Sequence, residues 1–146
     1  MIVVLVGLLC VAFADWKYKY NHFFTPEMNS DLQFGFQRGF SVGFSPLEQG
    51  PLLSTSYTYL TRMQLGIGLE QVVGERFSIR AQLLHDESGF GGKGEFFVHF
   101  EPLNERGEEA QTKGHHGVVA SASMVGSDWF VGVGYHFGFS NLNFER

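Results

Sequence analysis

The chain has 146 residues, enough for one domain with a core or for a small barrel, and its formal net charge is -5. Lys and Arg are few and scattered, which excludes a basic surface for nucleic acid, so we expect no nucleic-acid partner. Charged residues make up 17% of the chain, below the roughly 25% of a typical soluble domain, whereas 16 Phe and 19 Gly are unusually many. This composition suits a protein whose wall contacts hydrocarbon.

The amino-terminal segment is apolar and ends in a small-x-small pattern, Ala12-Phe13-Ala14, of the kind that signal peptidase cleaves. Its apolar run is shorter than the roughly 20 residues that a membrane-spanning helix needs. We therefore divide the chain into a signal peptide, residues 1–14, and a single β-barrel domain, residues 15–146. No Lys or Arg precedes the apolar run, and the alternative is an unusually apolar strand of a longer or truncated barrel. Cys10, the lone cysteine, has no intramolecular disulfide partner.

Alternation with a period of two is the main structural signal. From Leu32 to Phe44, large apolar residues hold nearly every second position, and Gly, Gln and Ser hold the others. Successive side chains of a strand point to opposite faces, so this pattern gives a sheet with one apolar and one polar face. No convincing amphipathic helix is present to cover the apolar face. Such a sheet can close into a barrel whose outer surface meets lipid.

Eight segments have this character, and turn residues separate them. Short connections imply antiparallel neighbours, so we predict an all-β fold, an antiparallel up-and-down transmembrane β-barrel of about eight strands. We expect turns at Thr25-Pro26-Glu27 and Gly89–Gly94, and an exposed loop from Asn104 to His116. The predicted strands are Trp16–Phe24, Leu32–Phe44, Leu53–Leu60, Met63–Val73, Phe77–His85, Glu95–Glu101, Gly117–Val125 and Trp129–Phe139.

The parity of each strand assigns its side chains to a face. One outlier is Arg38, which falls on the apolar parity, where an arginine at the centre of a membrane would cost about 2 to 4 kcal/mol. It must lie near an interface, or a bulge must reverse the parity there. We expect Gln33, Gln37, Gln64, Glu70, Arg80, Gln82, Glu95, His99 and His136 to face the lumen, and Phe34, Phe36, Phe40, Leu65, Ile67, Val131 and Val133 to face lipid.

Motifs that invite a catalytic or cofactor interpretation have simpler explanations. Gly89–Gly94 has the glycine spacing of a dinucleotide-binding loop, but the next predicted element is a strand and not the helix that such a loop must open. His115 and His116 are adjacent, so on an extended chain they point apart, and no third and fourth metal ligand stands at a recognisable spacing. We predict no enzyme activity, no catalytic residue, no cofactor and no metal site.

Motifs of this chain resemble those of two families. Val131-Gly132-Val133-Gly134-Tyr135-His136-Phe137 resembles the closing strand of small bacterial eight-stranded outer-membrane barrels. Thr25-Pro26-Glu27-Met28, Gln64 to Glu70 and Gly126 to Gly132 resemble motifs of the mitochondrial porin and import-pore superfamily, although the amino-terminal half of such a barrel has no counterpart here. The first resemblance implies a bacterial outer-membrane protein, and the second implies a channel subunit or fragment.

Three functions follow as hypotheses. The first is an integral outer-membrane barrel, in bacteria more than in mitochondria, that contacts lipid and acts structurally or binds an extracellular or periplasmic partner through its loops. A porin-like mitochondrial channel subunit is the second. The third is a secreted, lipocalin-like barrel that binds an apolar ligand inside and turns the apolar residues inward. The sequence does not specify an oligomeric state.

Overall fold

The computed structural model describes residues 17–45, 50–60, 62–103 and 112–142, which form one closed barrel of eight strands. The signal peptide predicted for residues 1–14 lies outside the described residues. The strands are β1 (Lys17–Asn29), β2 (Phe34–Ser45), β3 (Leu52–Leu60), β4 (Gln64–Val72), β5 (Phe77–Asp86), β6 (Gly89–His99), β7 (Lys113–Val125) and β8 (Asp128–Ser140).

Every strand pairs antiparallel with the next along the chain, and β1 pairs with β8 to close the barrel. The predicted all-β, up-and-down, eight-stranded barrel is therefore confirmed. We call the end that holds Lys17 and Ser140 the terminal end; it also carries the long β6–β7 connection. Short turns join the strands at the opposite end. Within the described ranges, no helix is long and apolar enough to cross a membrane.

The turn predicted at Thr25-Pro26-Glu27 is wrong, because β1 continues through these residues and pairs them with Gln37, Phe36 and Gly35 of β2. Proline has no N–H, and the β1–β8 ladder omits Thr25 and Pro26 while keeping its register on both sides. The reversal comes later, at residues 30–33. There the side-chain oxygen of Asn29 accepts backbone N–H groups of Asp31 and Gln33, and Leu32 has a φ of 59°.

The glycine-rich loop predicted at Gly89–Gly94 is also wrong, because these residues begin β6. The turn is Glu87-Ser88, where the carboxylate of Asp86 accepts hydrogen bonds from the backbone N–H and the hydroxyl of Ser88. Glycine is needed here because β6 and β7 lie too close together for a side chain. A Cβ on Gly91 would lie 2.0 Å from the carbonyl oxygen of Met124. The predicted loop up to His116 is likewise too long, because β7 already begins at Lys113.

The barrel has the opposite polarity to a soluble protein. Among the described residues, 23 polar or charged residues are buried but only eight hydrophobic ones. Large hydrophobic side chains lie on the outside along all eight strands, as the burial alternation of β5 illustrates. The core of the protein is thus a polar lumen, by which we mean the space that the strands enclose.

Candidate functional site

The structure places eight of the nine predicted lumen residues in the barrel interior. Gln33 is the exception and a correction: it lies in the exposed β1–β2 turn, where its amide side chain bonds to that of Asn29. The turn begins later than predicted, so Gln33 precedes the first pair of the β1–β2 ladder. The buried residues are Gln37, Gln64, Glu70, Arg80, Gln82, Glu95, His99 and His136.

The residues predicted to face lipid all lie on the outer surface. Along each of these strands, outward-facing and inward-facing side chains alternate without interruption. Arg38 also points outward, between the inward-facing Gln37 and Gly39, so no bulge reverses the parity of β2. Its guanidinium group donates to the ring of His22 at 3.3 Å. The outward residues are Phe34, Phe36, Phe40, Leu65, Ile67, Val131 and Val133.

A buried ion pair crosses the lumen near the terminal end. The ammonium group of Lys19 on β1 contacts the carboxylate of Glu70 on β4, and both side chains are almost completely shielded from solvent. Lys19 also donates to the hydroxyl of Ser78 at 2.9 Å and lies 3.3 Å from Nε2 of His99. The Ser78 hydroxyl in turn donates to Glu70 at 3.0 Å. These contacts join β1, β4, β5 and β6 through the interior.

A second charged group fills the middle of the barrel. Arg80 donates to the carboxylate of Glu95 at 2.5 Å, and the ammonium group of Lys93 lies 3.4 Å from the other oxygen of that carboxylate. Lys93 reaches across the lumen to the Gln37 side chain at 3.3 Å. Phe97 lies between the two groups, with the cations of Lys19 and Arg80 4.7 and 4.9 Å from its ring centre.

Arg62, from the β3–β4 connection, occupies the opposite end of the barrel. Its guanidinium carbon lies 3.1 Å from the ring centre of Phe130, and its nitrogens lie 3.5 Å from Glu27 and 4.0 Å from Asp86. Burial lowers the pKa of Arg62, and the two carboxylates oppose that change. Charged side chains therefore occupy the terminal end, the middle and the opposite end of the lumen. An eight-stranded barrel has an interior that side chains just fill, in agreement with this arrangement.

Three histidines meet near the terminal end of the lumen. His99 ends β6, His115 lies near the start of β7, and His136 lies on β8; we call them the histidine cluster. Each offers a ring nitrogen, and these three atoms all lie within 4.8 Å of one another. Three imidazoles in such proximity are a potential set of ligands for a transition-metal ion.

Sequence reasoning placed His99 and His136 in the lumen but missed the third member. His115 and His116 do point apart, as predicted: His115 is buried, while His116 contacts Tyr135 on the outside. The sequence predicts a loop at His115 because the segment from Asn104 to His116 is charged and poor in apolar residues. Lys19 and Lys93, which contact the predicted carboxylates of Glu70 and Glu95, are not among the predicted lumen residues. The alternation of β1 indicates an inward position for Lys19.

Comparison with known proteins identifies the fold. No protein-family model matches this chain, and neither does any curated protein. A solved structure described as "De novo design of transmembrane beta-barrels" is similar, with a TM-score of 0.52 and 12% sequence identity. The match covers 82% of this chain and 94% of that chain. At this identity the likeness concerns the backbone architecture alone, which is that of a small β-barrel.

Proposed function

We propose that this protein is an integral outer-membrane barrel with a closed lumen, which performs no catalysis and acts structurally or through the surface contacts of its loops. The observation that carries the proposal is the inverted polarity, with charged side chains inside and large apolar side chains outside. Large contiguous apolar surfaces are rare on soluble monomers and mark contact with membranes or other proteins. A barrel that carries large apolar side chains on the outside of all eight strands fits a lipid environment best.

The distribution of charge on the outer surface supports the same proposal. Between the ends of the eight described strands, Arg38 is the only outward-facing Asp, Glu, Lys or Arg. The exposed charged residues Glu75, Arg76 and Glu87 lie in the connections. This is the expected pattern for an apolar band bounded by two aqueous regions, because a charged side chain at the bilayer centre costs several kcal/mol.

A structural role suits the lumen better than conduction does. The cross-lumen contacts of Lys19 with Glu70, and of Lys93 with Gln37, occupy the path that an ion would need. The barrel also closes through direct β1–β8 pairing. These two features favour a filled barrel over the porin-like mitochondrial channel subunit.

The secreted carrier is the weakest of the three hypotheses on this structure. A lipocalin-like protein needs an apolar interior to hold an apolar ligand. Here Phe34, Ile67 and Val133 point outward. The interior holds the ion pairs Lys19–Glu70 and Arg80–Glu95. An apolar ligand could enter only by separating these ion pairs and leaving their charges unpaired, which would be unfavourable.

Detergent dependence and conductance test the proposal. The full chain should remain monodisperse only in detergent or lipid, and the folded barrel should migrate differently on a gel before and after heating. Planar-bilayer recordings should show no current above leak. A monomer that is stable in plain buffer would refute membrane insertion, whereas steady single-channel steps would refute the closed lumen alone.

Localisation needs a separate measurement in the native cell. After membrane fractionation, the protein should be found with the outer membrane, and amino-terminal sequencing of that material should begin at Asp15. Retention of Met1 would favour the mitochondrial or truncated alternative over the bacterial type.

A further inference from the structure

The histidine cluster is assembled by three neighbouring strands and one glycine. Gly117 of β7 pairs with both His99 of β6 and His136 of β8, so it lies directly between them on the same face. Because glycine has no side chain, the two rings meet across β7 with their centres 4.8 Å apart. His115 joins from two residues before Gly117, with its ring centre 5.2 Å from that of His99.

Most nitrogens of the cluster are buried without satisfying their hydrogen-bonding capacity. Nδ1 of His99 and both ring nitrogens of His115 and His136 have no hydrogen-bond partner among the described residues. The carbonyl groups of Phe139 and Val98 lie near His115 and His136 but do not form well-directed hydrogen bonds. Buried polar atoms are normally paired, so five unsatisfied nitrogens in one place need an explanation.

A neutral imidazole has a lone pair on one nitrogen, and that lone pair is what late first-row divalent metals prefer. Lys19 does not compete with a metal ion for every histidine nitrogen. It contacts only Nε2 of His99 and leaves Nδ1 available. The nearby carbonyl groups of Val98 and Phe139 are suitable acceptors for the second N–H of a metal-bound histidine, a common way to orient such ligands.

We propose that His99, His115 and His136 bind one divalent transition-metal ion of the Zn²⁺ class inside the barrel. Zinc binds histidine nitrogen at about 2.0–2.1 Å, which in a tetrahedral site separates the ligand nitrogens by about 3.4 Å. The ligand atoms already lie within 4.8 Å of one another, so their separations need to shorten by at most about 1.4 Å to complete the site. A water molecule can take the fourth position, as in other sites with three histidines.

Metal titration of the purified barrel tests this proposal. The full chain, without a histidine tag, is folded in detergent, treated with a chelator and titrated with Zn²⁺ by calorimetry. A parallel titration uses Co²⁺, whose visible absorption reports tetrahedral coordination. We expect one ion per chain. Single substitutions His115→Ala and His136→Ala should each weaken binding by more than about 10-fold.

The matched control is His116→Ala, which removes the adjacent, outward-facing histidine and should leave affinity unchanged. Absence of Co²⁺ absorption and of binding heat in the wild-type barrel would overturn the proposal, even if the variants failed to fold. Equal loss of affinity in His116→Ala, or unchanged affinity in both cluster variants, would overturn it as well. None of these outcomes depends on the proposed membrane function, which detergent dependence tests separately.

Discussion

His99 and His136 lie on strands that are not neighbours, yet their rings pack almost perpendicular to each other, at 86°. The intervening strand permits this only because its residue at that level is Gly117. A Cβ there would lie 1.9 Å from the carbonyl oxygen of Val98 and 2.9 Å from Nε2 of His136. The contact therefore depends on the absence of one methyl group.

Gly117→Ala should destabilise the barrel because the added Cβ collides with backbone and not only with a flexible side chain. We expect a loss of about 1–3 kcal/mol in the free energy of unfolding, the usual range for overpacking. Urea unfolding of the barrel in lipid vesicles measures it. Gly94→Ala is the matched control, since a Cβ at Gly94 would meet nothing within 4 Å. Equal effects of the two substitutions would contradict this account of Gly117.

The sequence predicts much of this architecture because a period of two is local information. The alternation in β2, β4 and β8 assigns Phe40, Ile67 and Val133 to the outer face with no knowledge of which strands pair. Side chains such as Gln37 and Glu70 follow to the inside by parity. The number of strands is also predictable, because turn residues interrupt most of the runs.

Strand ends and long-range contacts depend on residues that are far apart in the sequence, so local patterns predict them poorly. Pro26 is typical of a turn, but β1 accommodates it where the ladder with β8 is interrupted. Gly91 and its neighbours look flexible, although close approach to β7 is what requires glycine. His115 becomes a member of the cluster only through the register that β7 shares with β6 and β8.

Removing only one partner of the Lys19–Glu70 ion pair should destabilise the barrel strongly. Lys19→Met leaves a buried carboxylate without its partner, and Glu70→Gln leaves a buried ammonium group. Each should lower the free energy of unfolding by about 3–5 kcal/mol. The double variant Lys19→Met/Glu70→Gln should recover a large part of that loss, because both charged groups of the pair are then replaced by neutral side chains. Additive losses in a double-mutant cycle by urea unfolding would show that the two groups are not coupled.

Lys19 also bears on the metal proposal because its positive charge lies beside the histidine cluster. Lys19→Met removes that repulsion and frees the carboxylate of Glu70, so Zn²⁺ should bind more tightly to this variant than to the wild-type barrel. Calorimetric titration of both proteins under the same conditions measures the ratio of the affinities. Lys93→Met is the control, since Lys93 contacts Gln37 and Glu95 and not the histidines. Weaker zinc binding by Lys19→Met would contradict this expectation.

Arg38 can report where the bilayer lies on the barrel. Its guanidinium points outward from β2 with His22 as its partner. Between the ends of the described strands, no other Asp, Glu, Lys or Arg faces outward. Replacing Arg38 by leucine should raise the free energy of unfolding in lipid vesicles, by about 2–4 kcal/mol near the midplane and about 0–1 kcal/mol near an interface. The reverse substitution Ile67→Arg, on the outer face of β4, should lower stability on the same depth-dependent scale. In detergent micelles, which adapt to a charged side chain, both effects should shrink. If Arg38→Leu were instead destabilising in vesicles, the outer face of β2 would be in contact with water, and the proposal that this band faces lipid would fail.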